Sequence, residues 1–594
     1  MDGASARQDR GSVLSGAPRS LRLSIGQHSD KGRKEINQDF HGILIPKEPL
    51  LSLKGVAVVL ADGISSSEVS RIAAESAVGS FLTDYYCTSD AWSVKTSAQR
   101  VIAAVNSWLH SQSRRSQFLY DGDRDKGYVC TLSALVFKGT AVHLFHVGDS
   151  RIYRVAGNTL EPLTDDHRVV VSSQESYLGR ALGINPQVEI DYRTFPVETG
   201  EVFLLATDGV YEHVSARVVA ETIRSAPDLD SAARALADEA YRAGSTDNLT
   251  VQIVRVEQLP DGEGNDLLGS VIELPPPPLL EARMELDGYT IVRELRSSSR
   301  SHLYLAVDKA SDELVALKIP SIDLRGDPAY LKRFMMEEWV ARRLNNAHVL
   351  KPCVQSRKRS HLYVAMEFID GQTLSQWMID NPRPDLETVR GLVEQIGRGL
   401  QAFHRLEMLH QDLRPENVMI DRTGTAKIID FGSTRVAGVS EAAPGGESHD
   451  ILGTAQYTAP EYFLGEGGSP RSDIFSLGVI AYQMLTGRLP YGAQIARTRT
   501  RAQQKKLRYA PALDDSREIP AWVDATLRKA VHPDPHKRYE ELSEFLFDLR
   551  HPNRDFAPEA GPILERNPLL FWKGLSALLA LAVGLLLWLQ YGPR

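Results

Sequence analysis

His410-Gln411-Asp412-Leu413-Arg414-Pro415-Glu416-Asn417, followed thirteen residues later by Asp430-Phe431-Gly432, decides how the second half of this chain is read. The run places an acid, a cation and an amide at short spacing, with a further acid downstream. Moving a phosphoryl group needs those parts: a base near the accepting hydroxyl, oxygen ligands for Mg²⁺ and a cation on the nucleotide phosphates. Working outward, Val315-Ala316-Leu317-Lys318 reads as a strand ending on that cation, and Glu337 follows Phe334 by three residues on a helical stretch. Any one of these motifs proves little. Together and in order they are specific.

The set resembles the Ser/Thr protein kinases, particularly bacterial ones of eukaryotic type, over residues 287 to 549. The resemblance implies a bilobal fold in which Lys318 contacts the ATP phosphates and pairs with Glu337, and Asp412 is the catalytic base. Arg414 would stand near the γ-phosphate, and Asn417 and Asp430 would hold Mg²⁺. Met366 matches the residue ahead of the hinge, and Leu295 and Leu303 match positions that line the nucleotide. Glu461, closing Ala459-Pro460-Glu461, is expected to pair with Arg538, and Asp473 to support the catalytic loop. The phosphate-covering loop departs from the family: Leu295-Arg296-Ser297-Ser298-Ser299-Arg300-Ser301-His302-Leu303 has none of the usual glycines. Those glycines let backbone N–H groups approach phosphate closely. The serines are expected to hydrogen-bond phosphate instead, with weakened ATP affinity. Gln411 replaces the Arg that usually meets a phosphorylated activation loop, so phosphorylation at Ser440, Ser448 or Thr454 is not expected to be the main switch.

The first half carries another pattern. Asp62-Gly63 follows the apolar run Val56-Ala57-Val58-Val59-Leu60, Asp208-Gly209 follows Val202-Phe203-Leu204-Leu205-Ala206, and Gly148-Asp149 and Asp247-Asn248 mark similar junctions. A carboxylate at a strand end is aimed out of the core, and a two-metal site needs several converging from distant sequence. A single Asp-Gly is most often a turn; the ordered set carries the weight. With Asn37-Gln38-Asp39 and Gly148-Asp149-Ser150-Arg151 it resembles the metal-dependent PPM (PP2C-type) Ser/Thr phosphatases over residues 21 to 256. That resemblance implies a β-sandwich flanked by helices and two or three Mn²⁺ or Mg²⁺ ions. Asp62 would bridge two ions, Asp208 and Asp247 would complete the first site, the Gly63 carbonyl would face the second, Asp39 would belong to the same metal set, and Asp149 would hold a third, weaker ion. Hydrolysis of phosphoserine and phosphothreonine by an activated water is implied, with Lys34 where the family places a phosphate-holding Arg. Gln38 stands where many members have Glu, and Ile64-Ser65-Ser66-Ser67 replaces a glycine-rich run.

The bulk numbers agree with two large domains, since 594 residues exceed what one core supports. A formal charge of -8, with no run that interleaves Lys or Arg with aromatics, excludes a nucleic-acid function. Cys87, Cys130 and Cys353 are too dispersed for a disulfide framework or a zinc cluster and suit a reducing cytoplasm. Residues 1–20 read as a flexible tail, 257–286 with Pro275 to Pro278 as a linker, and 550–568 as a connector. From Gly574 to Pro593 there is no charge in twenty positions, enough at ~1.5 Å per residue to cross ~30 Å of hydrocarbon. A single transmembrane helix over 569–591 is expected, with Arg554, Arg566 and Lys573 upstream keeping the large domains on the cytoplasmic side of the inner membrane.

The expectation is a multidomain α+β chain: a PPM-type sandwich, a bilobal kinase and a membrane helix that binds lipid. It would act on protein Ser/Thr and phospho-Ser/Thr substrates, its own kinase domain among them. Two rivals stay open: a phosphatase regulated by a fused pseudokinase, and a non-catalytic membrane-tethered scaffold.

Overall fold

The computed structural model of the protein describes residues 20–115, 126–170, 176–260, 274–324, 327–353, 357–441, 455–513, 519–553 and 568–591. Ser448, Thr454, nearly all of the N-terminal tail, residues 261–273 of the expected linker and most of the connector lie outside the described residues. The chain divides into two compact units. The first is Met1–Leu274 with Leu406–Met408 and Arg435–Ser448, and the second is Pro275–Arg405 with Leu409–Thr434 and His449–Arg594.

Two five-stranded antiparallel sheets build the first unit. The strands are β1 (Arg22–Asp30), β2 (Phe40–Leu44), β3 (Val56–Ala61), β4 (Leu132–Lys138), β5 (Ala141–Val147), β6 (Arg151–Ala156), β7 (Thr159–Pro162), the hairpin β8 (Arg168–Val170) and β9 (Ser176–Leu178), β10 (Asp191–Pro196), β11 (Val202–Ala206) and β12 (Leu249–Gln258). One sheet runs β1-β12-β11-β6-β7 and the other β10-β5-β4-β3-β2. The apolar run of β3 is continuous because both of its faces are covered. Val56, Val58 and Leu60 meet Leu135, Phe137, Phe203, Leu205 and Val254 between the sheets. Ala57, Val59 and Ala61 pack outward against α1 (Ser70–Cys87) and α2 (Val94–Arg115). On the opposite flank, α3 (Leu229–Arg242) covers Leu204, Ala206, Val251 and Ile253. Strand register then gathers the acidic positions at one end of both sheets. Phe40 pairs with Ala61, which sets Asp39 beside Asp62, and Ala206 pairs with both Val251 and Arg151, which draws Asp208, Asp247 and Asp149 together.

The second unit starts earlier than the sequence pattern suggests. Leu362 N donates to Pro275 O at 2.9 Å, and Leu280 is buried in the same core as Leu286 and Tyr289. The four prolines therefore lead into packed structure, and β12 still runs through Glu257 and Gln258. A five-stranded antiparallel sheet follows: β13 (Glu285–Leu286), β14 (Tyr289–Ser297), β15 (Ser301–Asp308), β16 (Glu313–Pro320) and β17 (Val364–Glu367). Helix α4 (Pro328–Ala341) begins where Asp327 caps Tyr330 N and Pro328 takes the first turn, a position that needs no N–H. The remainder is mostly helical around α5 (Leu386–Arg405) and the almost wholly buried α6 (Pro470–Thr486). Here Arg538 donates twice to Glu461, at 2.8 and 2.7 Å, with both side chains buried as the sequence pairing anticipates.

Helix α7 spans Pro568–Tyr591. Among the described residues no helix is long and apolar enough to cross a membrane. The side chains of 585–594, within the stretch on which the transmembrane expectation rests, lie outside the described residues.

Candidate active sites

In the first unit, the turn that presents Asp62 is locked by its neighbours. Asp62 N donates to Thr131 Oγ1 at 2.9 Å, Thr131 N donates back to Asp62 O at 2.8 Å, and the Thr131 and Ser150 hydroxyls meet at 2.7 Å. Gly148 packs against this threonine with φ of +121°, and a Cβ there would lie 2.5 Å from the Thr131 side chain, so only glycine fits. Asp39 Oδ2 accepts from Thr207 Oγ1 at 3.0 Å and Thr250 Oγ1 at 2.7 Å, while its Oδ1 is buried with no donor among the described residues.

Burial pushes Asp39 up to about 6, and it pushes Asp62 well above the carboxylate range, with Asp39, Asp208, Asp149 and Asp247 adding repulsion. Asp208 is lifted to about 7, by burial first and then by Asp247 and Asp149. Five mutually repelling, partly desolvated carboxylates are the donor set a hard divalent cation takes, and the unpartnered Asp39 oxygen fits the same use. Among the described residues, no group of three or more acidic, His or Cys side chains stands ready to enclose one ion. The outer carboxylates are held instead by protein cations. Lys34 Nζ lies 2.6 Å from Asp247 Oδ1, and Arg168 lies 2.6 Å from Asp149 and 2.9 Å from Asp208.

Gln38 has a use of its own. Its Nε2 donates to Ser67 O at 2.8 Å and Ser70 Oγ at 2.7 Å, stitching down the serine-rich loop after Gly63. A carboxylate at position 38 has no proton to donate there, so the Gln and the serine loop belong together. Gly63 itself bridges to Cys130, and a Cβ on it would meet Gln38 O at 2.7 Å.

A pH dependence follows from the raised carboxyls. Asp39 and Asp208 keep protons in the folded metal-free protein that the unfolded chain releases near pH 4. This stabilisation is full below pH 4 and is lost as pH rises through about 6 and 7. For Asp39 it amounts to roughly 2–3 kcal/mol. In EDTA, the fall in unfolding free energy from pH 5 to pH 8 is expected to be smaller in Asp39→Asn than in the unaltered chain; equal falls would contradict the assignment.

In the second unit, Lys318 Nζ sits 2.6 Å from both carboxylate oxygens of Glu337 on α4. Burial works to strip the Lys318 proton, but Glu337 and Asp430 hold it on. Asn417 Nδ2 donates to Asp412 O at 2.9 Å and Asp412 Oδ2 at 3.1 Å, and burial raises the Asp412 carboxyl. Asp430 is half-buried, and Lys318 and the Gly432 N–H keep it below the ordinary range. Asp473 fixes the catalytic turn by accepting from His410 N at 3.0 Å, Gln411 N at 3.1 Å and His404 Nε2 at 2.9 Å. Gln411 takes a left-handed φ of 64° inside that turn. Arg414 Nε lies 3.6 Å from Glu416 and 4.0 Å from Asp412. Leu303 pairs with Lys318 and with Arg296 beside Leu295, while Ala316 pairs with Met366. All of these positions therefore share one sheet with the lysine.

The serine loop is bonded to itself. Ser298 Oγ accepts from Arg300 N at 3.3 Å and Ser301 N at 3.0 Å and donates to Ser301 O at 2.9 Å, while Ser321 N and the Tyr330 hydroxyl both donate to Arg300 O. The turn thus spends its serine on its own backbone, in a local pattern that competes with any outside acceptor.

A protein phosphatase 2C family model matches residues 27–249, and a protein kinase domain model matches residues 289–546. The serine/threonine-protein kinase PknL of Mycobacterium bovis is 33% identical over 275 residues, covering 46% of this chain and 67% of that protein. Among solved structures, the S. agalactiae serine/threonine phosphatase is 26% identical with a TM-score of 0.34, covering 40% of this chain and 100% of that one. The catalytic domain of the phosphatase PstP, solved with two manganese ions, is 23% identical with a TM-score of 0.33 over 40% of this chain and 100% of that one.

Proposed function

Because this chain belongs to the serine/threonine protein kinases and joins a protein phosphatase 2C domain to its kinase in one bifunctional enzyme, we propose which residues run each reaction and where the chain works. For the kinase, the closed Lys318–Glu337 pair beside Asp430 is the observation that carries the reading. Lys318 holds the nucleotide phosphates, and Asp412, lifted by burial and oriented by Asn417, accepts the proton of the substrate hydroxyl. Asn417 and Asp430 offer the oxygens for Mg²⁺, and Met366, Leu295 and Leu303 border the nucleotide. Arg414, its Nε 4.0 Å from Asp412, serves the γ-phosphate. The self-bonded serine turn lowers ATP affinity without removing any group that moves a proton or holds a charge.

For the phosphatase, the cluster of Asp39, Asp62, Asp149, Asp208 and Asp247 carries the reading. Divalent ions held there, Mn²⁺ or Mg²⁺, supply Lewis acidity and lower the pKa of water. The chain orients the cluster through Thr131, Thr207 and Thr250, and Lys34, 2.6 Å from Asp247, would hold the substrate phosphate. EDTA is expected to abolish hydrolysis of a phosphothreonine peptide, with recovery on adding Mn²⁺. Chelator-resistant turnover would contradict the metal assignment.

The phosphatase also acts on the kinase's own phosphates, because two domains on one polypeptide reach effective concentrations on the order of mM. Helix α7 anchors the enzyme in the inner membrane with both catalytic domains cytoplasmic; the uncharged stretch Gly574–Pro593 and the helical path of Pro568–Tyr591 support this. Full-length protein is expected to stay in the membrane pellet through carbonate washing, and a chain ending at residue 567 to be released. Release of both would remove the anchor.

A further inference from the structure

We propose that Arg168 competes with a divalent ion for Asp149 and Asp208, so that the guanidinium serves as the cluster's own counter-charge until metal displaces it. The inference rests on the metal reading above. Arg168 opens the β8–β9 hairpin, and no sequence motif singles it out. Its Nε lies 2.6 Å from Asp149 Oδ2, its Nη2 2.9 Å from Asp208 Oδ2 and its Nη1 3.5 Å from Glu212 Oε1.

The placement is built into the hairpin. His167, the preceding residue, donates its backbone N–H to Gly148 O at 2.8 Å. Its Nδ1 accepts from Gly148 N at 3.0 Å, and its Nε2 lies 3.0 Å from Asp191 Oδ2. Gly179 N closes the hairpin onto His167 O at 2.6 Å. The backbone that carries Arg168 is thereby tied to the residue just before Asp149, and a planar five-donor fork then reaches two separate carboxylates at once.

The charge arrangement gives the reason. Asp149 and Asp208 carry Arg168, and Asp247 carries Lys34. Asp39 and Asp62 have no ion-pair partner among the described residues. The oxygens that Arg168 occupies are those a hard cation needs, and an oxygen facing a guanidinium at hydrogen-bond distance is not free to coordinate an ion. Metal uptake at Asp149 and Asp208 must therefore release the guanidinium, and the energy of that pair is subtracted from metal affinity. The release also leaves a cation tethered at the rim of the cluster.

Calorimetric titration of the full-length chain with MnCl₂ tests this on the unaltered protein, Arg168→Gln and Arg168→Lys. Mn²⁺ is expected to bind Arg168→Gln about tenfold tighter, the size of one charge-assisted pair, and Arg168→Lys to fall between. Melting in EDTA gives a second readout in which Arg168→Gln unfolds at lower temperature than the unaltered chain, and the order reverses or closes in Mn²⁺. Unchanged or weaker Mn²⁺ binding by Arg168→Gln, in a protein whose unaltered form binds Mn²⁺, overturns the competition alone. No Mn²⁺ uptake by the unaltered chain overturns the metal reading with it.

Discussion

Asp62→Asn is expected to cut phosphatase turnover by at least ~10³-fold, the scale on which charge-stabilising groups at a reacting centre count, while making the metal-free protein more stable. The two effects share one cause. Asp62 is half-buried and faces four other carboxylates, so its charge has a use only when a cation neutralises it. Asn keeps the shape and can still occupy the turn set by Thr131, yet it removes the charge. In EDTA the variant should melt above the unaltered chain, and Mn²⁺ should raise its melting point less. A variant that loses activity and stability together would point to a structural role for Asp62.

Lys318→Met is expected to cost phosphate transfer ~10²–10⁴-fold, again as the loss of one fixed charge at the phosphates. The change also leaves Glu337 buried without its partner. Asp412→Asn should match the loss of transfer with little cost in stability, since Asn417 can still hold the turn through Asp412 O. Steady-state rates and melting curves on the two variants separate the effect of charge from that of folding.

Most of this arrangement is legible in the sequence because strand ends and short turns carry it. Asp39, Asp62, Asp149, Asp208 and Asp247 each follow or precede an apolar run whose antiparallel register is enough to gather them. Lys318, Glu337, Asp412, Asn417 and Asp430 likewise sit on elements whose type the pattern gives. What the sequence hides depends on side chains crossing between segments. Arg168 looks like an ordinary residue opening a short strand, and only the tie between His167 and Gly148 turns it toward Asp149. Gln38 reads as a weakened ligand until its amide is seen on Ser67 and Ser70. The sequence of the serine loop does not show that the Ser298 hydroxyl binds its own backbone in a tight turn. Pro275 to Pro278 read as a spacer because proline excludes helix and central strand, yet an extended segment still accepts a hydrogen bond such as that from Leu362.

The central claim, that one chain both adds and removes phosphate, is tested by incubating the full-length protein with γ-labelled ATP and Mg²⁺, then removing ATP and adding Mn²⁺. The account predicts label on the chain that decays to inorganic phosphate, label that persists in Asp62→Asn, and none in Lys318→Met. No label on any form, with a generic protein acceptor also unlabelled, would contradict the kinase half; label that persists equally in the unaltered chain and Asp62→Asn would contradict the claim that the chain erases its own phosphates.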